Sequence, residues 1–179
     1  MARPASTPPR RVGAPCTAVA LGGLVVVASL VAGCAATGVQ SLPAGTSVDE
    51  LLQRAGPPTA KYERTGQQRW EYATGPAGKF TWMVDLDAAG KVQRVSQVLN
   101  EADFARVQPG ETIDELHWQL GRPSETRGIW RGASLWGYRY FTNACFWFVV
   151  TVEPTGVVRD SGYVPDPTCE AGRNDRSNG

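Results

Sequence analysis

The chain has 179 residues, 42% of them hydrophobic, and 18 basic against 17 acidic side chains give a net charge of +1. That balance leaves no basic field to argue for a nucleic-acid partner, and the length fits one ordinary domain or two small units. Twenty glycines and thirteen prolines argue for turns and short strands over a long helical bundle.

Arg3, Arg10 and Arg11 make the start of the chain positive, and no acidic residue occurs before Asp49. An uncharged apolar run, Ala18 to Val31, follows. It is shorter than the roughly 20 residues a spanning helix needs. A charged start, a short apolar stretch and small residues at a cut site predict a removable secretory signal over residues 1–33. The Arg10-Arg11 pair lacks the apolar and basic residues that follow in a twin-arginine signal. Leu30-Val31-Ala32-Gly33-Cys34 resembles the bacterial lipobox. The resemblance implies cleavage before Cys34, a diacylglycerol on its sulfur and, in many Gram-negative bacteria, acylation of the freed amine. The other reading is a plain signal in which Cys34 is incidental. Two or three acyl chains anchor a protein stably without spanning. Ala35 stands where an Asp would favour inner-membrane retention, which points to the outer membrane, facing the periplasm. Losing the three signal arginines leaves 15 basic against 17 acidic residues.

Residues 34–44 read as a lipidated tether. Beyond it the sequence repeats itself. Gly45-Thr46-Ser47-Val48-Asp49-Glu50-Leu51 matches Gly110-Glu111-Thr112-Ile113-Asp114-Glu115-Leu116, and Gly56-Pro57-Pro58-Thr59 matches Gly121-Arg122-Pro123-Ser124, both 65 residues on. Trp70-Glu71-Tyr72 meets Trp136-Gly137-Tyr138, and Asp87-Ala88-Ala89-Gly90 meets Glu153-Pro154-Thr155-Gly156, now 66 on. One inserted residue explains the shift, and self-similarity over several patches marks a tandem repeat. The expected units are 45–99 and 100–168, with a disordered tail over 169–179.

Each unit reads as a helix followed by strands. Ser47-x-x-Glu50 and Thr112-x-x-Glu115 have the form of capping boxes. Val48, Leu51, Leu52 and Ala55 share one helix face, with Ile113, Leu116, His117 and Leu120 as counterparts. Gly56 and Gly121, with prolines beyond, end the helices. Glu101 to Val107 reads as a short extra helix. In the strands Phe80, Trp82, Val84 and Leu86 form an apolar face, repeated by Phe146, Phe148, Val150 and Val152. The fold class expected is α+β: two tandem helix-plus-antiparallel-sheet repeats, helices on one face and the other face partly open.

Of the four cysteines, Cys16 leaves with the signal and Cys34 takes the lipid. Cys145 and Cys169 remain in an oxidising compartment, and a disulfide is the natural reading, two free thiols the alternative. Bridging them closes a loop of about 25 residues, worth about 3 kcal/mol. Two cysteines lack the ligand count of a structural zinc site.

Gly-x-[Ser/Thr]-x-Asp-Glu-Leu, then Gly-x-Pro, Trp-x-Tyr and an apolar strand ending Asp-x-x-Gly, resembles the SmpA/BamE lipoproteins, and the lipobox fits. The likeness runs from Gly45 to about Pro167 as two copies, where the usual member has one. It implies a fold like that of the β-lactamase inhibitor protein. It also implies an accessory, non-catalytic role on the inner leaflet of the outer membrane, in the assembly of β-barrel proteins.

The residues themselves offer little chemistry. His117, the only histidine, has Leu52 as its counterpart and reads as a packed side chain. Asp87 belongs to a turn and Asp85 reads as solvated. No phosphate loop, metal-ligand cluster or nucleophile elbow is present in the sequence, so no catalytic residue, metal, cofactor or small-molecule substrate is expected. Binding remains. The face opposite the core carries Arg69, Glu71, Met83, Arg139, Phe141 and Trp147. Trp147 is read either as an exposed interface anchor or as covered by the C-terminal segment. The expected partner-binding residues are Trp147, Arg139, Phe141, Met83, Arg69 and, on the outer side of a helix, Trp118. A protein partner in the envelope is the leading expectation, with a periplasmic hydrolase inhibitor or a passive structural lipoprotein as rivals.

Overall fold

A computed structural model describes residues 38–75 and 78–166. The expected signal segment, Cys34, Cys169 and the 169–179 tail lie outside the described residues. The elements in chain order are α1 (Val48–Ala55), β1 (Ala60–Arg64), β2 (Gln67–Ala73), β3 (Thr81–Leu86) and β4 (Val92–Gln97). Then come α2 (Glu101–Phe104), α3 (Ile113–Leu120), β5 (Glu125–Gly128), β6 (Ser134–Tyr138), β7 (Phe146–Val152) and β8 (Val158–Pro165). The strands form two antiparallel four-stranded sheets, β1-β2-β3-β4 and β5-β6-β7-β8. The fold is α+β.

Both long helices start and stop by the same chemistry. Ser47 and Thr112 accept hydrogen bonds from the backbone N–H of Glu50 and Glu115. Only the second is a complete capping box, because Glu115 reaches back to Thr112 whereas Glu50 pairs with Arg54 at 2.7 Å. Gly56 and Gly121 close the helices at φ 71° and 77°, a backbone region that disfavours side chains. The joints that follow match as well. Thr59 N–H donates to the Glu71 carbonyl and Ser124 N–H to that of Gly137, at 2.7 and 2.8 Å. The hydroxyls of Tyr72 and Tyr138 donate to the carbonyls of Gly56 and Gly121, each at 3.3 Å. Both sheets shift register at the same place, Asp85/Leu86 and Thr151/Val152.

Leu51 and Ala55 pack on Trp70, Tyr72, Val84, Leu86 and Val92, and Leu116 and Leu120 pack on Trp136, Tyr138, Phe148, Val150 and Val152. Three expectations change here. Val39 and Leu42, in the stretch expected to be a tether, are buried in the first of these cores. Leu52, expected on the inner helix face, is 37% exposed. Phe80 lies just before β3 rather than on its apolar face, 40% exposed and stacked on Phe141 at 6.2 Å.

The largest change concerns the face of sheet β1–β4 turned away from α1, expected to be partly open. Met83 on that face is fully buried and belongs to the core around α3, with Tyr62 packed against it. Helix α3 thus has apolar neighbours from both sheets. A pattern of period two says that Met83 points away from Val84, but not what lies there. Burying a methionine is worth about 1.5–3 kcal/mol, which offsets part of the cost of ordering the contact.

Candidate docking face

The covered face of sheet β1–β4 shows how a helix sits on a sheet of this kind. Arg69, on β2, donates from one guanidinium nitrogen to the Trp118 carbonyl at 2.7 Å and lies 4.8 Å above the Trp118 ring. Its other nitrogens hold the Asp85 carboxylate, which also binds Arg94 at 2.9 Å. Asp85, expected to be solvated, is therefore held by two arginines. Arg64 pairs with Glu115 at 3.3 Å. The Glu71 carboxyl, with no exposure, accepts from the Tyr62 hydroxyl and from the Arg122 backbone N–H. Its second oxygen is buried with no hydrogen-bond partner among the described residues. Burial pushes the pKa of Glu71 up, against the opposing pull of those donors. Half-buried His117 stacks between Tyr62 at 6.0 Å and Trp136 at 5.2 Å, and burial holds its pKa below the usual value. Arg69, Met83 and Trp118, three of the expected partner-binding residues, are thus committed to this contact within the chain.

On sheet β5–β8 the corresponding face carries a groove of about 270 Å³, lined among others by Arg127, Leu135, Gly137, Trp147, Val149 and Val164. Trp147 forms its floor. A Cβ on Gly137 would lie 3.0 Å from the Trp147 ring, so the indole lies flat against a strand that has no side chain there. Its N–H donates to the Pro165 carbonyl at 3.2 Å, and the Arg139 guanidinium stands 4.7 Å from the ring. Trp147 is 7% exposed, which overturns the reading of an exposed anchor: Pro165 at the end of β8 and Arg139 lie against it. Arg139 itself is mostly buried, 3.6 Å from buried Asp166 and 3.9 Å from Glu125.

Phe141 is 69% exposed and lies in the loop after β6, away from the groove. Cys145 is disulfide-bonded; Cys169, its expected partner, lies outside the described residues. The sequence reading missed Arg127, Leu135 and Val164. Their signal was available only through the repeat, since each gains meaning from its counterpart in the first sheet. Among the described residues no group of three or more His, Cys, Asp or Glu side chains is placed to hold a metal ion. No helix among them is long and apolar enough to cross a membrane.

No family model and no curated protein matches this chain. Among solved structures it is similar to an extracellular protein containing a SCP domain from Bacillus anthracis str. Ames, at 15% identity and a TM-score of 0.26. That match spans 72% of this chain and 46% of the other, so the chain spans less than half the length of the protein it matches.

Proposed function

We propose that the chain is a lipid-anchored protein of the outer membrane, facing the periplasm, that works by binding another protein and not by catalysis. Its role is that of an accessory subunit in β-barrel assembly or envelope maintenance. The observation that carries the binding part is the groove over Trp147: an apolar recess with a charged rim, on a sheet face whose counterpart in the same chain is covered by a helix. The building plan proposed is two tandem helix-on-sheet units. What supports it is the recurrence, at 65 and 66 residues, of caps, helix ends and joint hydrogen bonds. The resemblance to SmpA/BamE lipoproteins supplies the site of action.

The anchor reading also orients the molecule. Gly38 lies against the last turn of α1, where a Cβ on it would meet the Arg54 carbonyl at 2.5 Å. Cys34 stands four residues earlier, at most about 14 Å of extended chain. Under this reading the end of the molecule bearing the α1 C-terminus faces the membrane.

Two measurements test the proposal. Cys34→Ser should move the protein from the salt-washed membrane fraction to the soluble periplasm; an unchanged membrane fraction overturns the anchor. Depletion should lower the levels of β-barrel outer-membrane proteins. Wild type should restore them and Leu135→Arg, which fills the groove with a charge, should not. Unchanged levels on depletion overturn the assembly role.

A further inference from the structure

We propose that the groove on sheet β5–β8 receives helix α1 of a second copy of this chain, so that copies join head to tail. The inference rests on the docking-face reading above and names the occupant of that same site.

The groove continues a contact already made inside the chain. Besides Arg64, which pairs with Glu115, four residues of sheet β1–β4 meet the α3 segment: Tyr62 by stacking on His117, Arg69 through Trp118, Glu71 through Arg122, and Met83 in the core around Leu116 and Leu120. Advancing them by the repeat offset gives Arg127, Leu135, Gly137 and Val149. All four line the groove. The groove is thus the seat of the next helix in the series, at the place where the described fold ends.

Residues 167–179 contain no Val, Ile, Leu, Met, Phe, Tyr or Trp, so they cannot supply an apolar filling. The segment that corresponds to α3 is α1, and its outer side is open among the described residues: Asp49 and Gln53 are exposed, and Leu52 is 37% exposed on a helix otherwise polar on that side.

Glu115 of α3 pairs with Arg64 of β1. Its counterpart in α1 is Glu50; Ile129 stands at the position of Arg64, and the groove rim offers a cation two residues earlier on the same side, exposed Arg127 on β5. At one further place the pattern is lost on both sides. The Glu71 carboxyl accepts from Arg122 N–H. Its counterpart Gly137 has no acceptor side chain, and Pro57, the counterpart of Arg122, has no N–H to donate. A contact of this kind uses two different surfaces, so it builds open rows or closed rings, not a two-fold dimer.

Cross-linking in intact cells, with the full-length chain in its own membrane, tests this. Gln53→Cys and Leu135→Cys on one chain, treated with a short bis-maleimide, should give a ladder of dimers and higher species. Either cysteine alone should give none. Adding Arg127→Glu should cut the ladder about tenfold or more through like-charge repulsion with Glu50, and adding Glu50→Arg as well should restore it. The ladder should persist when Cys34→Ser releases the chain from the membrane, so failure of the anchor reading and failure of this one give different results. No ladder from a chain that melts like wild type overturns the proposal. So does a ladder from one cysteine alone, or one indifferent to Arg127→Glu. Cross-links to a different protein instead would leave the docking face standing and remove the second copy as its occupant.

Discussion

Glu71 is a carboxylic acid with no exposure, held by two donors and short of a third. Its pKa is raised, by burial above all. The folded chain therefore binds this proton more tightly than the unfolded chain does. The stabilisation it brings is complete below the ordinary glutamate range, near about 4.3, and is lost as pH rises through the folded value. Glu71→Gln is neutral at every pH. Its stability relative to wild type should rise between pH 4 and pH 8, read as the shift in denaturation midpoint; parallel shifts at both pH values would show that folding leaves the pKa of Glu71 unchanged. Trp147 follows from burial in another way. Period-two alternation alone turns it outward and predicts a silent truncation. With the ring flat on Gly137 and its N–H bonded to Pro165, Trp147→Ala should cost about 3–5 kcal/mol. A midpoint within error of wild type would return Trp147 to the surface.

At the scale of elements, the repeat makes paired tests natural. Leu51 and Leu116 are both fully buried at matching positions of α1 and α3, so Leu51→Ala and Leu116→Ala should each cost about 2–5 kcal/mol. Gln53→Ala, on the exposed side of α1, should cost almost nothing. Denaturant melts in which one leucine is as silent as Gln53 would show that the two helices do not do the same work. These elements were legible because their signals are local: a hydroxyl before the first turn, a glycine after the last, apolar residues at helical spacing, alternation in the strands. The extra helix α2 carried the same kind of signal in Asn100 and Asp103. Less legible was the segment before α1. The offset carries Val39 onto Phe104 and Leu42 onto Val107, but two apolar residues among small ones have no period of their own. Least legible was the covering of sheet β1–β4. Met83 and Glu71 alternate correctly with their neighbours, and nothing in a strand records which other element lies over its second face. The same gap hid the candidate site, since Leu135 and Arg127 look like ordinary surface residues until their counterparts are seen under α3.

At the scale of the molecule, the position of α3 decides how the chain unfolds. Leu116 and Leu120 belong to one core with Tyr138 and Val150 from sheet β5–β8 and with Met83 from sheet β1–β4. Arg69 and Glu71 add hydrogen bonds from the first sheet to the Trp118 carbonyl and the Arg122 N–H. Removing the second half would expose Met83 and replace the Arg122 bond of Glu71 and the Trp118 bond of Arg69 with bonds to water, at a cost of about 0.5–1.5 kcal/mol each. Neither half then keeps its stability alone, and the described fold should unfold in one transition although it holds two separate sheets. Leu120→Ala separates this from a pair of independent units. If α3 couples the sheets, slow amide exchange in β3 and in β7 should quicken together and by similar factors, with a single melting transition at lower midpoint. Faster exchange confined to β7, or a melt that splits in two, would show that sheet β1–β4 stands without the helix that covers it.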